Sequence, residues 1–419
     1  MSLPCEPDLL AAVPETLRPV LRAYLSGAPV ANDALYAQLQ PEVEASPERW
    51  QPKAAAPASC RDRNLVHRKM RWHQQTLRQL GLLEKVPGRR GVWQLKPQAK
   101  ELTPARPGMV LVAFSTRLGL ALWSSCHDVF PRIDEPIALL LTSPPYPIRK
   151  PRAYGGVTAG EFTDFICGAL EPIVANLLDG GSIALSLSPD CFEPGSPARS
   201  TYLEEATLAL KRRFDLHLMD RIIWTNPARP PGPVRWASIQ RVQLSATYEM
   251  VLWFTNNPAA CFSDNRRVLQ PHTERHAGLI ARGGEKRTTN YGDGAYRLRV
   301  GSFGAETAGR IPRNVQNFTH NGATHRAMRQ AAISAGLPTH GACMPLGLAK
   351  FLVEFLTRKD QLVVDCFGGW LRTALAAEQT GRRWLATELM GEHLMGAAYA
   401  FQHAEGFQSA FDLKTGGHA

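Results

Sequence analysis

No Cys-x-x-Cys pair occurs among the eight cysteines of this sequence (Cys5, Cys60, Cys126, Cys167, Cys191, Cys261, Cys343 and Cys366), and no spacing among them suits zinc. Cysteines scattered in this way predict neither a disulfide framework nor a structural metal, and they fit a reducing compartment. The chain also lacks an uninterrupted apolar run of about 18 residues, so no membrane-spanning helix is expected. Its first residues, Met1 to Glu15, are acidic and broken by prolines rather than basic and then apolar, which argues against a secretory leader and for a cytoplasmic location. What is present is ordinary for a large folded protein. With 419 residues, 44% hydrophobic and 20% charged, the composition suits one large domain and a smaller one.

The formal net charge of +11 points to a polyanionic partner, because basic residues set against phosphates release condensed counterions. The charges cluster: residues 61–100 hold eleven Lys or Arg against two acids, Asp62 and Glu84. Before this block come apolar-periodic segments at 9–25 and 32–39 and a Pro/Ala/Ser stretch at 46–59 that reads as a loop. Within the block, residues 65–80 have helical spacing ended by Gly81, and 82–85 with 91–95 read as a two-stranded ribbon around Pro87-Gly88-Arg89-Arg90-Gly91. Residues 1–103 thus resemble the small winged-helix domains at the amino terminus of some restriction–modification proteins. That resemblance implies a helix presenting Arg68, Arg71 and Arg78 to a DNA groove and a wing presenting Arg89 and Arg90 to phosphates. A basic helical bundle with merely solvated charges is the alternative.

From residue 104 the pattern becomes strands alternating with helices, which predicts an α/β fold with a doubly wound, mainly parallel, seven-stranded sheet. Candidate strands are 109–114, 138–142, 182–188, 218–224, 248–254, 362–366 and 384–388. Candidate helices are 160–178, 201–214, 346–357 and 373–380. Residues 257–322 show no periodicity and read as a loop or insertion with a role in target recognition.

An apolar strand, Leu139-Leu140-Leu141-Thr142, ends abruptly in Ser143-Pro144-Pro145-Tyr146. A second apolar strand runs into Asp365-Cys366-Phe367-Gly368-Gly369, and Glu388 closes a third about 20 residues later, the place from which an acid reaches ribose hydroxyls. Taken together these segments resemble the β-group DNA amino-methyltransferases, the catalytic motif preceding the cofactor motif. His340, within Thr339-His340-Gly341-Ala342-Cys343-Met344-Pro345, matches the segment that closes over the methionine end of the cofactor, and the likeness extends over roughly residues 109–404. It implies S-adenosylmethionine as cofactor and double-stranded DNA as partner, with Ser143, Pro144, Pro145 and Tyr146 as catalytic residues. The implied cofactor contacts are Thr142, His340, Asp365, Phe367, Gly368, Gly369, Arg372, Thr373 and Glu388. Where the family has hydroxyl residues after the glycines, this chain has Trp370-Leu371-Arg372 before Thr373, so Arg372 is expected to replace hydroxyl contacts to the cofactor carboxylate.

The chemistry explains the residue types. An exocyclic amino nitrogen is a poor nucleophile because its lone pair is delocalised into the base. Acceptors at Ser143 Oγ and the Pro144 carbonyl push it toward a tetrahedral state, the prolines hold that carbonyl forward, and Tyr146 stacks on a flipped base. Ser143 resembles cytosine-N4 enzymes, whereas adenine-N6 enzymes carry Asp or Asn there. A methyltransferase-fold DNA-binding regulator that has lost catalysis is the alternative, with an RNA methyltransferase third. The sequence leaves open a homodimer and a cognate restriction endonuclease.

Overall fold

The computed structural model describes residues 15–26, 28–50, 65–79, 82–95, 103–148, 156–226, 232–292, 294–320, 322–341, 343–411 and 413. Expectations for residues 9–14, 51–59, 61–64, 80, 81, 96–100, 293, 321 and 342 lie outside them. Contacts divide the chain into two compact units, residues 1–101 and 102–419. No helix among the described residues is long and apolar enough to cross a membrane.

In the first unit, helix Arg18–Arg22 precedes strand β1 (Val30–Ala31) and helix Asn32–Ala45. A turn of helix follows at Pro47–Trp50, where composition alone predicts loop. Pro47 suits a first helical position, and Trp50 is buried in this unit's core beside Leu21 and Leu35. Helix Leu65–Gln79 then leads into the hairpin of β2 (Leu83–Lys85) and β3 (Val92–Leu95), and β1 adds to β3 to complete a three-stranded antiparallel sheet. The helix is two-faced. Met70, His73, Gln74 and Leu77 are buried, while Arg68, Arg71, Trp72, Gln75 and Arg78 are exposed at helical spacing on the other side.

The second unit is built on β4 (Leu111–Ser115), β5 (Gly119–Trp123), β6 (Ile137–Thr142), β7 (Leu177–Leu187), β8 (His217–Thr225), β9 (Tyr248–Thr255), a separate hairpin of β10 (Thr289–Tyr291) and β11 (Tyr296–Leu298), then β12 (Val315–Asn317), β13 (Leu362–Asp365), β14 (Arg383–Glu388) and β15 (Gln408–Ser409). The main sheet runs β12-β8-β9-β7-β6-β13-β14-β5-β4-β15. It has ten strands rather than the expected seven, because β5, β12 and β15 join it. Its centre, β7-β6-β13-β14-β5, is parallel throughout, and β9 runs against both neighbours. The 257–322 stretch is not simply a loop: it holds helix Glu274–Ala281, the β10–β11 hairpin and β12.

The central strands read as unbroken apolar runs because helices cover both faces. Along β6 the side chains alternate between two cores. Leu139 and Leu141 join Leu348, Leu352 and Leu375 from helices Leu346–Leu356 and Arg372–Gln379. Leu140 joins Phe162, Ile166 and Leu210 from helices Ala159–Ala175 and Tyr202–Phe214. The first of these helices is fixed at its start by Thr158 and Glu161, each side chain bonding the other's backbone.

Candidate active site

The strands β6 and β13 lie side by side, with Val363 opposite Leu139 and Val364 opposite Leu140. The chain leaves β6 toward β7 and leaves β13 toward β14, in opposite directions across the sheet. A crevice therefore opens at their carboxyl ends, where open α/β sheets bind ligands. A cavity of about 320 Å³ occupies it, within the size range of small-molecule sites. Ser143 to Tyr146 line it from the end of β6, Asp365 to Trp370 from the end of β13, Glu388 from the end of β14, and Ser124 to His127 from the end of β5.

Ser143 Oγ donates to the Ser186 carbonyl at 3.2 Å, on the neighbouring β7. With its hydrogen committed there, the oxygen presents lone pairs and acts as an acceptor. Thr142, expected among the cofactor contacts, instead lies behind the wall. It is fully buried and donates to Asp365 Oδ1 at 2.6 Å, tying β6 to β13 across the crevice. The Phe367 amide donates to the same oxygen at 3.1 Å. Thr373 is buried too, and donates to the Leu141 carbonyl at 2.9 Å.

Burial pushes the Asp365 carboxyl up to about 6, against the hydrogen bonds from Thr142 and Phe367 and with the Glu388 charge adding to the rise. Between the ordinary carboxyl range and pH 6 the folded state therefore holds a proton that the unfolded chain releases, so stability falls as pH rises through that window, by on the order of 3 kcal/mol. Asp365→Asn keeps Oδ1 as acceptor of both bonds and does not ionise. Its thermal stability relative to the parent is expected to rise between pH 4 and pH 7. Melting curves showing a constant difference across that range would overturn this account of Asp365.

The glycine turn is shaped by the protein itself. A Cβ on Gly368 would lie 2.5 Å from Leu371 Cδ2 and 3.0 Å from the Thr387 carbonyl; one on Gly369, at φ +53°, would lie 3.1 Å from His340 Nε2. A side chain at either place would have to displace a neighbour, and at Gly369 it would also be held in the left-handed region. Glu388 fastens the turn, with Oε2 accepting from the Gly369 amide at 2.6 Å and Oε1 from the Met390 amide at 2.8 Å and from His393 Nδ1 at 3.4 Å. Burial opposes its ionisation, but these bonds outweigh it and hold the carboxyl below its usual range. His340 stacks edge-on against His393, with centroids 4.7 Å apart, and its Nδ1 lies 3.3 Å from Cys343 Sγ.

The crevice thus gathers Ser143, Pro144, Pro145, Tyr146, His340, Asp365, Phe367, Gly368, Gly369, Arg372, Thr373 and Glu388. The arginines Arg68, Arg71, Arg78, Arg89 and Arg90 belong to the first unit. Sequence reasoning missed Ser124 to His127, because their strand β5 was missed. It also missed His325, 47 positions from its partner Arg372, and His393, which follows Glu388 by five residues but belongs to none of the motifs. Trp224 is a packing residue, 2% exposed, with its ring against His320. Trp236 is likewise buried, with Arg235 over its ring at 4.3 Å.

The sequence profile of the N6/N4 DNA methylase family matches residues 137–398. Among curated proteins, the chain is similar to the Type II methyltransferase M.PvuII of Proteus hauseri, at 27% identity over 268 residues, covering 64% of this chain and 79% of the relative. Among solved structures, it is similar to the PvuII DNA methyltransferase (cytosine-N4-specific), with a TM-score of 0.54 and 24% identity, covering 69% of this chain and 88% of the other.

Proposed function

This chain belongs to the N6/N4 DNA methylase family, and we propose that its crevice performs the family's reaction with Ser143, Pro144, Pro145 and Tyr146 on the base side and the 365–373 turn with Glu388 on the cofactor side. It is an S-adenosylmethionine-dependent DNA amino-methyltransferase of the β group. The observation that carries the residue assignment is the meeting of the Ser143 turn and the Glu388-fastened glycine turn in one cavity. The residues fit the cofactor. Glu388 is an ionised acceptor at the wall, and Arg372 is a buried cation whose Nε and Nη1 have no hydrogen-bond partner among the described residues.

S-adenosylmethionine supplies a methyl group on a positively charged sulfur, open to a nitrogen lone pair. Ser143 Oγ and the Pro144 carbonyl accept the two N–H bonds of the target amino group and so localise that lone pair. Tyr146 stacks on the base once it is flipped out of the duplex. Cytosine N4 is the favoured target, supported by the serine at the head of the motif and by the specificity in the name of the PvuII relative. Residues 1–101 are the DNA-gripping part in this reading. Support comes from the element order, helix, strand, helices and hairpin, and from the arginine-bearing helix face opposite the buried one.

Single-molecule sequencing of DNA from cells expressing the protein tests both halves. N4-methylcytosine within one short motif is the expected result. In a chain carrying Arg89→Ala and Arg90→Ala the same motif is expected at lower occupancy, since phosphate contacts position a protein without reading sequence. Methyladenine would reassign the base. Unmodified DNA in the presence of folded protein would favour a DNA-binding regulator instead, and a double variant at full occupancy would remove the wing from DNA contact.

A further inference from the structure

Resting on the reading of the crevice as a cofactor site, we propose that Arg372 recognises the carboxylate at the amino-acid end of S-adenosylmethionine, and that His325 positions it.

Arg372 is the first residue of helix Arg372–Gln379, is 4% exposed and lines the cavity. Its Nη2 lies 2.9 Å from His325 Nδ1, while Nε and Nη1 are buried without a hydrogen-bond partner among the described residues. The Cys343 thiol contacts the guanidinium, but a thiol is a weak acceptor and burial still outweighs that contact. No Asp or Glu among the described residues forms an ion pair with it. A guanidinium held this way carries a desolvation penalty that an anion would offset. Two further features supply the place for that anion. The helix that Arg372 opens has no capping side chain, because its N-cap is Leu371 in the left-handed region at φ +51°, and an uncapped helix start favours negative charge. His325 is kept neutral by burial and by the neighbouring Arg372 charge, which pull it down to about 4. A neutral imidazole accepts from the guanidinium, where a protonated one would repel it. The hydroxyl residues absent from the 370–372 turn are replaced by one buried cation.

The test is calorimetry on the full chain with S-adenosylhomocysteine and with its decarboxylated analogue, which keeps the amine. The parent is expected to bind the carboxylate-bearing ligand about 10- to 100-fold more tightly, the range of a charge-assisted contact. Arg372→Met should erase that preference by weakening S-adenosylhomocysteine alone, leaving the analogue within about threefold, and Arg372→Lys should restore part of it. His325→Ala should narrow the preference without abolishing it. Equal affinities of the parent for the two ligands would overturn the proposal without any variant having to fold, as would an Arg372→Met chain that still prefers the carboxylate. A parent that binds neither ligand overturns the cofactor reading itself, an outcome distinct from binding without discrimination.

Discussion

Replacing Ser143 with alanine is expected to slow methyl transfer at least about a hundredfold while S-adenosylhomocysteine affinity stays within a few-fold, on the scale of losing one preorganised polar contact made in the transition state. The structure gives the reason. The Ser143 hydrogen is bonded to the Ser186 carbonyl, so the side chain offers the target amino group only acceptor capacity. Alanine leaves that amino group with the Pro144 carbonyl alone, and its lone pair stays in the ring. Because Ser143 sits on the turn after β6 and its hydrogen bond goes to Ser186 rather than to Glu388 or the glycine turn, the loss should appear in kcat and not in cofactor binding. Ser143→Thr keeps the hydroxyl and should recover part of the rate if the added methyl is accommodated. Single-turnover methylation of a cognate duplex, with calorimetry alongside, measures both quantities, and an alanine variant as fast as the parent would remove Ser143 from the mechanism.

How much of this was legible in the sequence depends on how deeply each element is buried. The strands β6 and β13 are covered on both faces, so Leu139 to Leu141 and Leu362 to Val364 read as apolar runs, and their abrupt polar ends mark the carboxyl edge where the crevice lies. The strand β12 is invisible by the same logic. Val315 and Asn317 are exposed, only Gln316 is buried, and the segment is a strand because β8 offers it an edge to pair with. In β10 and β11, Tyr291, Tyr296 and their neighbours remain largely exposed, so no periodicity is imposed on 257–322 and composition reads as loop. The fifth strand fails differently: Gly119 begins it and Leu120 is 41% exposed, so a short segment has too little pattern to separate it from a turn.

The site divides along similar lines. Residues adjacent in sequence, such as Ser143 to Tyr146 and Asp365 to Gly369, carry their geometry in the local turn and could be read directly. Spatial partners could not. Nothing in the sequence indicates that Thr142 would serve Asp365 rather than the cavity, or that His325 would face Arg372 across 47 positions. The glycines Gly368 and Gly369 were legible as implied cofactor contacts, but their close approach to Thr387 and His340 was not.

Glu388→Ala is expected to weaken S-adenosylhomocysteine binding by about 3 kcal/mol, on the order of a hundredfold, with little further change in the rate of enzyme saturated with cofactor. A carboxylate offers roughly four acceptor positions. The Gly369 amide, the Met390 amide and His393 take three in this structure, two of them on Oε1. The position left, on Oε2, suits one ribose hydroxyl rather than two, so removing one of the two hydroxyls from the ligand should matter far more than removing the other. Alanine loses that contact and also releases the glycine turn, leaving two buried backbone donors unpaired, and the two losses together exceed a single hydrogen bond. Glu388→Gln separates them. Its carbonyl oxygen still accepts one or two of the donors, but its amide nitrogen must meet the other as donor against donor, so affinity should fall between parent and alanine. Calorimetry of the three chains with S-adenosylhomocysteine and its two monodeoxy analogues supplies the comparison. Equal affinity across the three chains would detach Glu388 from the cofactor, and equal loss on removing either hydroxyl would show that the turn opens to free a second acceptor position.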